Sequence, residues 1–139
     1  MWLKSFSVTT NKASIEQIWE VLTNINQWNT WDNDIEWIKL DGEAKLGADF
    51  LLKPKGGPET KLTISTFNKP NNFSDIAHLP FAKMETIHNL SNTSEGVKIE
   101  VIIKVTGFLS FLWSRVIAQK QIDGGVQQTN LLIEKAKTL

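Results

Sequence analysis

At 139 residues, with 41% hydrophobic and 22% charged side chains, the chain fits one soluble globular domain that buries roughly two-thirds of its unfolded surface. Fifteen basic and fifteen acidic residues leave no net charge, and Arg115 is the sole arginine, so the basic stripe and arginine forks of a nucleic-acid binder are missing. The chain has no cysteine, which excludes disulfides, thiolate metal sites and a cysteine nucleophile.

The first segment, "WLKSFSVTT" (2–10), alternates apolar and polar residues as a strand does and ends at the polar "TNKA". Ser14 and Gln17 form a capping box, and Ile15, Ile18, Trp19, Val21 and Leu22 follow at helical spacing. This helix gives way at "TNINQWN", whose asparagines favour turns and short helical pieces. Trp28, Trp31 and Trp37 crowd the next stretch. Trp31 is expected to be packing, Trp28 to sit near the mouth of an interior space, and Trp37 to lie on the second strand. Asp32 and Asp34 read as turn residues rather than as an acid/base pair.

Strands are expected at 35–41, 48–54, 60–68, 73–79, 82–91 and 96–106, separated by turn-rich pieces such as "PKGGPE", "NKPNN" and "SNTSEG". In the last, Val97, Ile99, Val101, Ile103 and Val105 share one face, while Lys98, Glu100, Lys104 and Thr106 occupy the other. That is an antiparallel strand with one dry and one wet side. From Phe108 the period becomes helical. Phe108, Phe111, Leu112, Arg115, Val116, Gln119, Ile122 and Val126 form the expected stripe, which Leu132, Ile133 and Ala136 resume. Gly124-Gly125 interrupts it at about 1 kcal/mol per glycine relative to alanine, predicting two helices or one kinked helix.

There is no internal repeat and no linker, so a single domain over 1–139 is expected, its curved antiparallel sheet covered by the terminal helix. The start lacks a charged and then apolar leader, and no apolar run reaches the ~18 residues of a membrane span. A cytoplasmic protein without stable membrane insertion is expected. The sequons at Asn72, Asn89 and Asn92 then carry no meaning.

Several strings strengthen this reading. "IEQIWEVLTNINQWNTWDNDI", with its W-x-x-W-D segment, "LGADFLL", and the run from "HNLSNT" through Gly107 to the C-terminus resemble the START-like (SRPBCC) superfamily, the polyketide cyclase/dehydrase and lipid-transport group. The resemblance covers nearly the whole chain. It implies an α+β helix-grip fold: a seven-stranded curved antiparallel sheet around a long C-terminal helix, with two short helices between strands 1 and 2. It also implies a largely apolar cavity between sheet and helix, in which most relatives bind a hydrophobic small molecule. The family has no universal catalytic set, so the resemblance does not make the chain an enzyme.

The chemistry-bearing motifs are sparse. No dinucleotide or phosphate loop, nucleophile elbow or zinc-protease motif is present. His78 and His88 alone normally titrate near neutrality, and two histidines fall short of the three protein ligands of a catalytic zinc site. No metal or cofactor is expected. His88 shares a strand face with Met84, Thr86 and Leu90; on an apolar interior it orients a ligand, moves a proton, or is a satisfied structural histidine. Relatives with similar sequence often carry a histidine here. His78 reads as a rim or surface residue. Arg115 either clamps a ligand carboxylate or phosphate or lies along apolar surface with its guanidinium in water.

Candidate ligand-lining residues are Trp28, Phe50, Leu52, Leu62, Ile64 and Ile76, then Met84, Thr86, His88, Val101 and Ile103, and from the last helix Phe111, Leu112, Arg115 and Val116. The leading expectation is a carrier or sensor for a lipid, polyketide or similar molecule, monomeric or weakly dimeric. One alternative is a polyketide-type cyclase or dehydratase using His88. Another is a protein-interaction module like the chaperone ATPase activators, which share the fold type.

Overall fold

In the computed structural model, which describes residues 1–139, the alternating segments pair into one seven-stranded antiparallel sheet. Its strands are β1 (Trp2–Thr10), β2 (Ile35–Lys39), β3 (Asp49–Pro54), β4 (Thr60–Asn68), β5 (Asn72–Leu79), β6 (Ala82–Thr93) and β7 (Gly96–Thr106). The order is β1-β7-β6-β5-β4-β3-β2, so every strand from β2 onward pairs with its sequence neighbour and β1 closes against β7. Gly96 begins β7 at φ +125, and a side chain there would strike the Thr10 carbonyl at the end of β1. Only glycine allows this approach.

Between β1 and β2 lie helix α1 (Ile15–Thr23) and a 3-10 turn (Ile25–Thr30). The Ser14 capping box forms: the Gln17 amide donates to Ser14 Oγ at 3.1 Å, and the Ser14 amide donates to Gln17 Oε1 at 2.9 Å. The apolar side of α1, Ile18, Trp19 and Leu22, is buried.

The C-terminal helix runs without a break through α2 (Ser110–Trp113), a π-helical stretch (Ser114–Ala118) and α3 (Gln119–Ala136). Gly124-Gly125 neither breaks it nor begins a second helix; the irregularity falls about two to three turns earlier, in the π stretch. The expected inward stripe is also wrong in its first half. Phe108, Phe111, Leu112, Arg115, Val116 and Val126 are exposed, whereas Ser114, Ala118, Gly125 and Thr129 are buried. The reason is distance. Small residues on the inner side let the helix approach the sheet closely, and a side chain on Gly125 would collide with the Phe6 ring. Leu132, Ile133 and Ala136 are buried as expected.

Contact with Gly125 marks the face carrying Phe6 as the one the helix covers. Strand register carries that face across the sheet. Phe6 opposes Val101, which opposes His88, which opposes Phe73, which is joined in turn by Phe67. The next row is Lys4, Ile103, Thr86, Asp75 and Ile64, and the one beyond it is Trp2, Val105, Met84, Ala77 and Leu62.

Candidate functional site

The middle row of this inner face breaks its apolar pattern. In β5 the alternation Phe73, Asp75, Ala77, Leu79 places a carboxylic acid on the dry side, and in β6 Thr86 and His88 lie beside it. Asp75 directly opposes Thr86, and Phe73 opposes His88. Asp75 and His88 are therefore diagonal neighbours, with Cβ atoms roughly 7 Å apart. Three polar side chains thus share a patch walled by Ile64, Phe73, Met84, Val101 and Ile103, all of them buried.

No side chain hydrogen-bonds to either titratable member. His88 Nδ1 is enclosed and has no hydrogen-bond partner, a state that costs about 1–3 kcal/mol for a neutral group. Burial lowers the imidazole to about 4, opposed only by a weaker hydrogen bond between the ring and the Phe73 backbone. The Asp75 carboxyl is pushed up to about 7 by burial and then by the negative charge of Glu85, with no hydrogen bond or cation pulling it back. Burial therefore favours the uncharged form of both groups. Such a set donates and accepts hydrogen bonds at little charge cost.

Thr86 and His88 keep partial exposure although β6 is flanked by paired strands on both sides. Two surface depressions of about 460 and 370 Å³ lie elsewhere. One is lined by residues including Thr10, Ser14 and Asn92, the other by residues including His78, Phe81 and Lys83; neither includes the polar patch.

Aromatic rings close one end of this inner face. Trp28 packs edge-on against Phe50 and Phe73, with centroids 5.6 and 6.3 Å away, and Trp19 packs edge-on against Phe67 and Phe73. The Trp28 indole N–H donates to the Leu22 carbonyl at 3.0 Å. Trp28 is thus a buried wall residue and not a mouth residue. Trp31 is half-buried with its indole N–H unpartnered. Trp37 opposes Lys53, out of phase with the inward pair Ile38 and Leu52, and lies on the outer face.

The remaining expected lining residues divide cleanly. Phe50, Leu62, Ile64, Met84, Val101 and Ile103 are buried on the inner face, with Leu52, Thr86 and His88 half-buried there. Ile76 is corrected: it opposes Glu85 and Thr63, one step out of phase with Asp75 and Ala77, and so lies on the outer face. Phe111, Leu112, Arg115 and Val116 are corrected as well, since all four are exposed on the helix's outer side. His78 is exposed and its Nε2 lies 2.8 Å from Thr63 Oγ1, a surface residue as expected. Asp32 is buried and does the work of a turn: one oxygen accepts from the Asp34 amide at 3.0 Å, the other from Gln128 Nε2 at 2.7 Å. That second bond ties the Trp-rich segment to α3.

Asp75 is the residue that the sequence reading passed over. Its signal was present in "NFSDIAHL", where Phe73 fixes which side of β5 is dry and Asp75 shares that side. No group of three or more His, Asp or Glu side chains converges closely enough to hold a metal.

No protein-family model matches the chain, and no curated protein sequence matches it. Its fold does match solved structures. Ara h 8.0201 superposes with a TM-score of 0.72 at 8% identity, covering 99% of this chain and 100% of that one. A point mutant of norcoclaurine synthase from Thalictrum flavum, in complex with a transition-state analogue, superposes at 0.75 with 11% identity, covering 99% and 94%. A START superfamily protein from Mycobacterium smegmatis gives 0.75 at 12% identity, covering 96% and 97%. With its seven antiparallel strands and closing C-terminal helix, the chain has the START-like helix-grip fold.

Proposed function

We propose that the protein binds an apolar small molecule carrying a carbonyl or hydroxyl group, in the gap between sheet and C-terminal helix, as a carrier or sensor. The observation that carries this reading is the enclosed, unpartnered His88 Nδ1 beside the buried Asp75 carboxyl on an otherwise apolar surface. A buried polar group without a partner in the fold calls for one from outside it, a water or a ligand atom. A ligand oxygen over Thr86 accepts from the neutral Asp75 carboxyl, and a ligand hydroxyl donates to the imidazole. Burying ~200 Å² of ligand surface favours binding by ~5 kcal/mol before ordering costs.

The test is a backbone-amide NMR titration with a long-chain methyl ketone and with the alkane of equal length. The ketone is expected to shift amides in 73–77 and 84–90 and to bind about tenfold more tightly, the worth of one well-placed hydrogen bond. Equal affinity for the alkane, or shifts confined to other segments, overturns the reading.

A second reading has one observation in its favour. A carboxyl held near neutrality suits general acid or base catalysis, as in a polyketide-type cyclase or dehydratase. Here Asp75 replaces His88 as the proton carrier, because an imidazole lowered to about 4 is too weak a base at pH 7. Asp75→Asn then abolishes turnover of a poly-β-ketone substrate while leaving its affinity within a few-fold. Equal loss of both supports binding alone.

A further inference from the structure

We infer that the tip formed by the β5–β6 turn and the start of the C-terminal helix docks reversibly onto an anionic lipid surface. The inference is independent of what the interior holds. It begins from the stripe that the helix turns away from the sheet.

Phe81, Phe108 and Phe111 are 73%, 84% and 64% exposed, and Leu112 and Val116 are 41% and 47% exposed. Isolated apolar residues on a surface need no explanation, but a contiguous group of this kind marks an interaction site. The group is contiguous because its two segments are bonded together. The Leu109 amide donates to the Phe81 carbonyl at 3.0 Å, and the Trp113 indole N–H donates to the Pro80 carbonyl at 2.8 Å. Gly107 makes the junction possible: at φ +110 it passes so close to Phe81 and Ala82 that a side chain would meet their backbone at 2.8 Å.

The turn itself is unusual. Phe81 sits at φ 57, in the left-handed region, a conformation that bulky residues rarely adopt. Glycine would serve this turn better, yet the position presents an aromatic ring to solvent. Backbone strain of this kind is found where structure serves recognition.

Charge decides the partner. In a chain with no net charge, the tip segments 79–84 and 107–122 contain Lys83, Arg115 and Lys120 and no aspartate or glutamate, while behind them Lys104 stands opposite Glu85 across β6 and β7. Arg115 is exposed one turn from Phe111 and forms none of the protein's ion pairs. A second copy is disfavoured as the occupant, because a two-fold contact would bring this basic rim against itself. An anionic bilayer matches both parts. Aromatic and aliphatic side chains enter the headgroup boundary while lysine and arginine pair with lipid phosphates and carboxylates. No helix is long and apolar enough to cross a membrane, so the contact is peripheral.

The experiment is sedimentation with vesicles of phosphatidylcholine alone or with a quarter of phosphatidylserine. The wild type is expected to sediment with the anionic vesicles, less so as salt rises, and to remain free with phosphatidylcholine alone. The pair Phe108→Ser and Phe111→Ser is expected to weaken binding at least about tenfold, and Arg115→Ala about fivefold. Phe81→Gly relieves the left-handed strain, so it is expected to retain or raise thermal stability while weakening vesicle binding, which separates docking from folding. A wild type that stays free with anionic vesicles overturns the inference, as does a double serine variant that binds like wild type. So does a wild-type dimer, seen by sedimentation velocity without lipid, that the serine variants dissolve.

Discussion

Replacing Asp75 by asparagine puts the inner polar patch to a quantitative test. The amide mimics the protonated carboxyl in size and hydrogen bonding but cannot ionise. In the folded protein the Asp75 carboxyl is raised from its ordinary 3.8 to about 7. Below pH 3.8 the group is protonated in both folded and unfolded states and costs nothing. As pH rises from there, the unfolded chain releases the proton while the fold retains it, so stability falls until pH 7 is passed. At ~1.4 kcal/mol per tenfold change in the ionisation equilibrium, the full loss is ~4 kcal/mol. His88 works in the opposite sense. Its imidazole is lowered from 6.5 to about 4, so the unfolded chain holds the extra proton between those values. Stability from this group is complete above pH 6.5 and is lost as pH falls toward 4, a change of ~3 kcal/mol. In the wild type the two slopes largely cancel between pH 4 and 6.5. Asp75→Asn removes one of them. The variant should match wild type near pH 4, gain ~3 kcal/mol by pH 6.5, and exceed wild type by ~4 kcal/mol near pH ~8. Urea unfolding followed by tryptophan fluorescence at these three pH values measures the difference directly. Parallel pH profiles for the two proteins would refute the claim that Asp75 is buried without a partner.

Adjacent glycines should respond in opposite directions. Gly124 has open space where a side chain would go, so Gly124→Ala should raise stability by ~0.5–1 kcal/mol through helix propensity. Gly125→Ala drives a methyl into the Phe6 ring and should lower it by ~1–2 kcal/mol, a loss recovered in part by Phe6→Leu; thermal unfolding distinguishes the two. Trp28→Phe should cost ~1–3 kcal/mol by leaving the Leu22 carbonyl short of a donor and a void beside Phe50, read as a lower urea midpoint at unchanged slope. Asp32→Ala severs both the turn bond to Asp34 and the tie to Gln128 and should cost ~1–3 kcal/mol; hydrogen exchange should then show loosened protection over 26–35.

The sheet was legible because its information is binary. Alternation with a period of two tells which side of β1, β4, β6 and β7 is dry, and the turn-rich pieces mark where each strand ends. The helix was legible in extent but not in orientation. Large apolar side chains normally mark the buried side, yet here the inner side before residue 119 is Ser114 and Ala118, and the large residues face outward. Periodicity gives a stripe but not the distance to the layer beneath it, and that distance selected small residues. The same limit hid Ile76, an aliphatic residue whose register places it outside while Asp75 takes the inner position. His88 was readable as an inward polar group from its strand alone. Its missing partner was not, because satisfaction depends on what the neighbouring strands and the helix place around it.

The central claim is that the gap above Asp75, Thr86 and His88 holds an apolar molecule by its polar end. Native mass spectrometry of protein purified without denaturant, followed by organic extraction, tests this most directly. The wild type should carry an extractable small apolar molecule with a carbonyl or hydroxyl, and Asp75→Leu/His88→Leu, which seals the patch with hydrocarbon, should be bare or much depleted. Wild type recovered bare from repeated preparations, or an adduct retained equally by the double variant, would contradict the account.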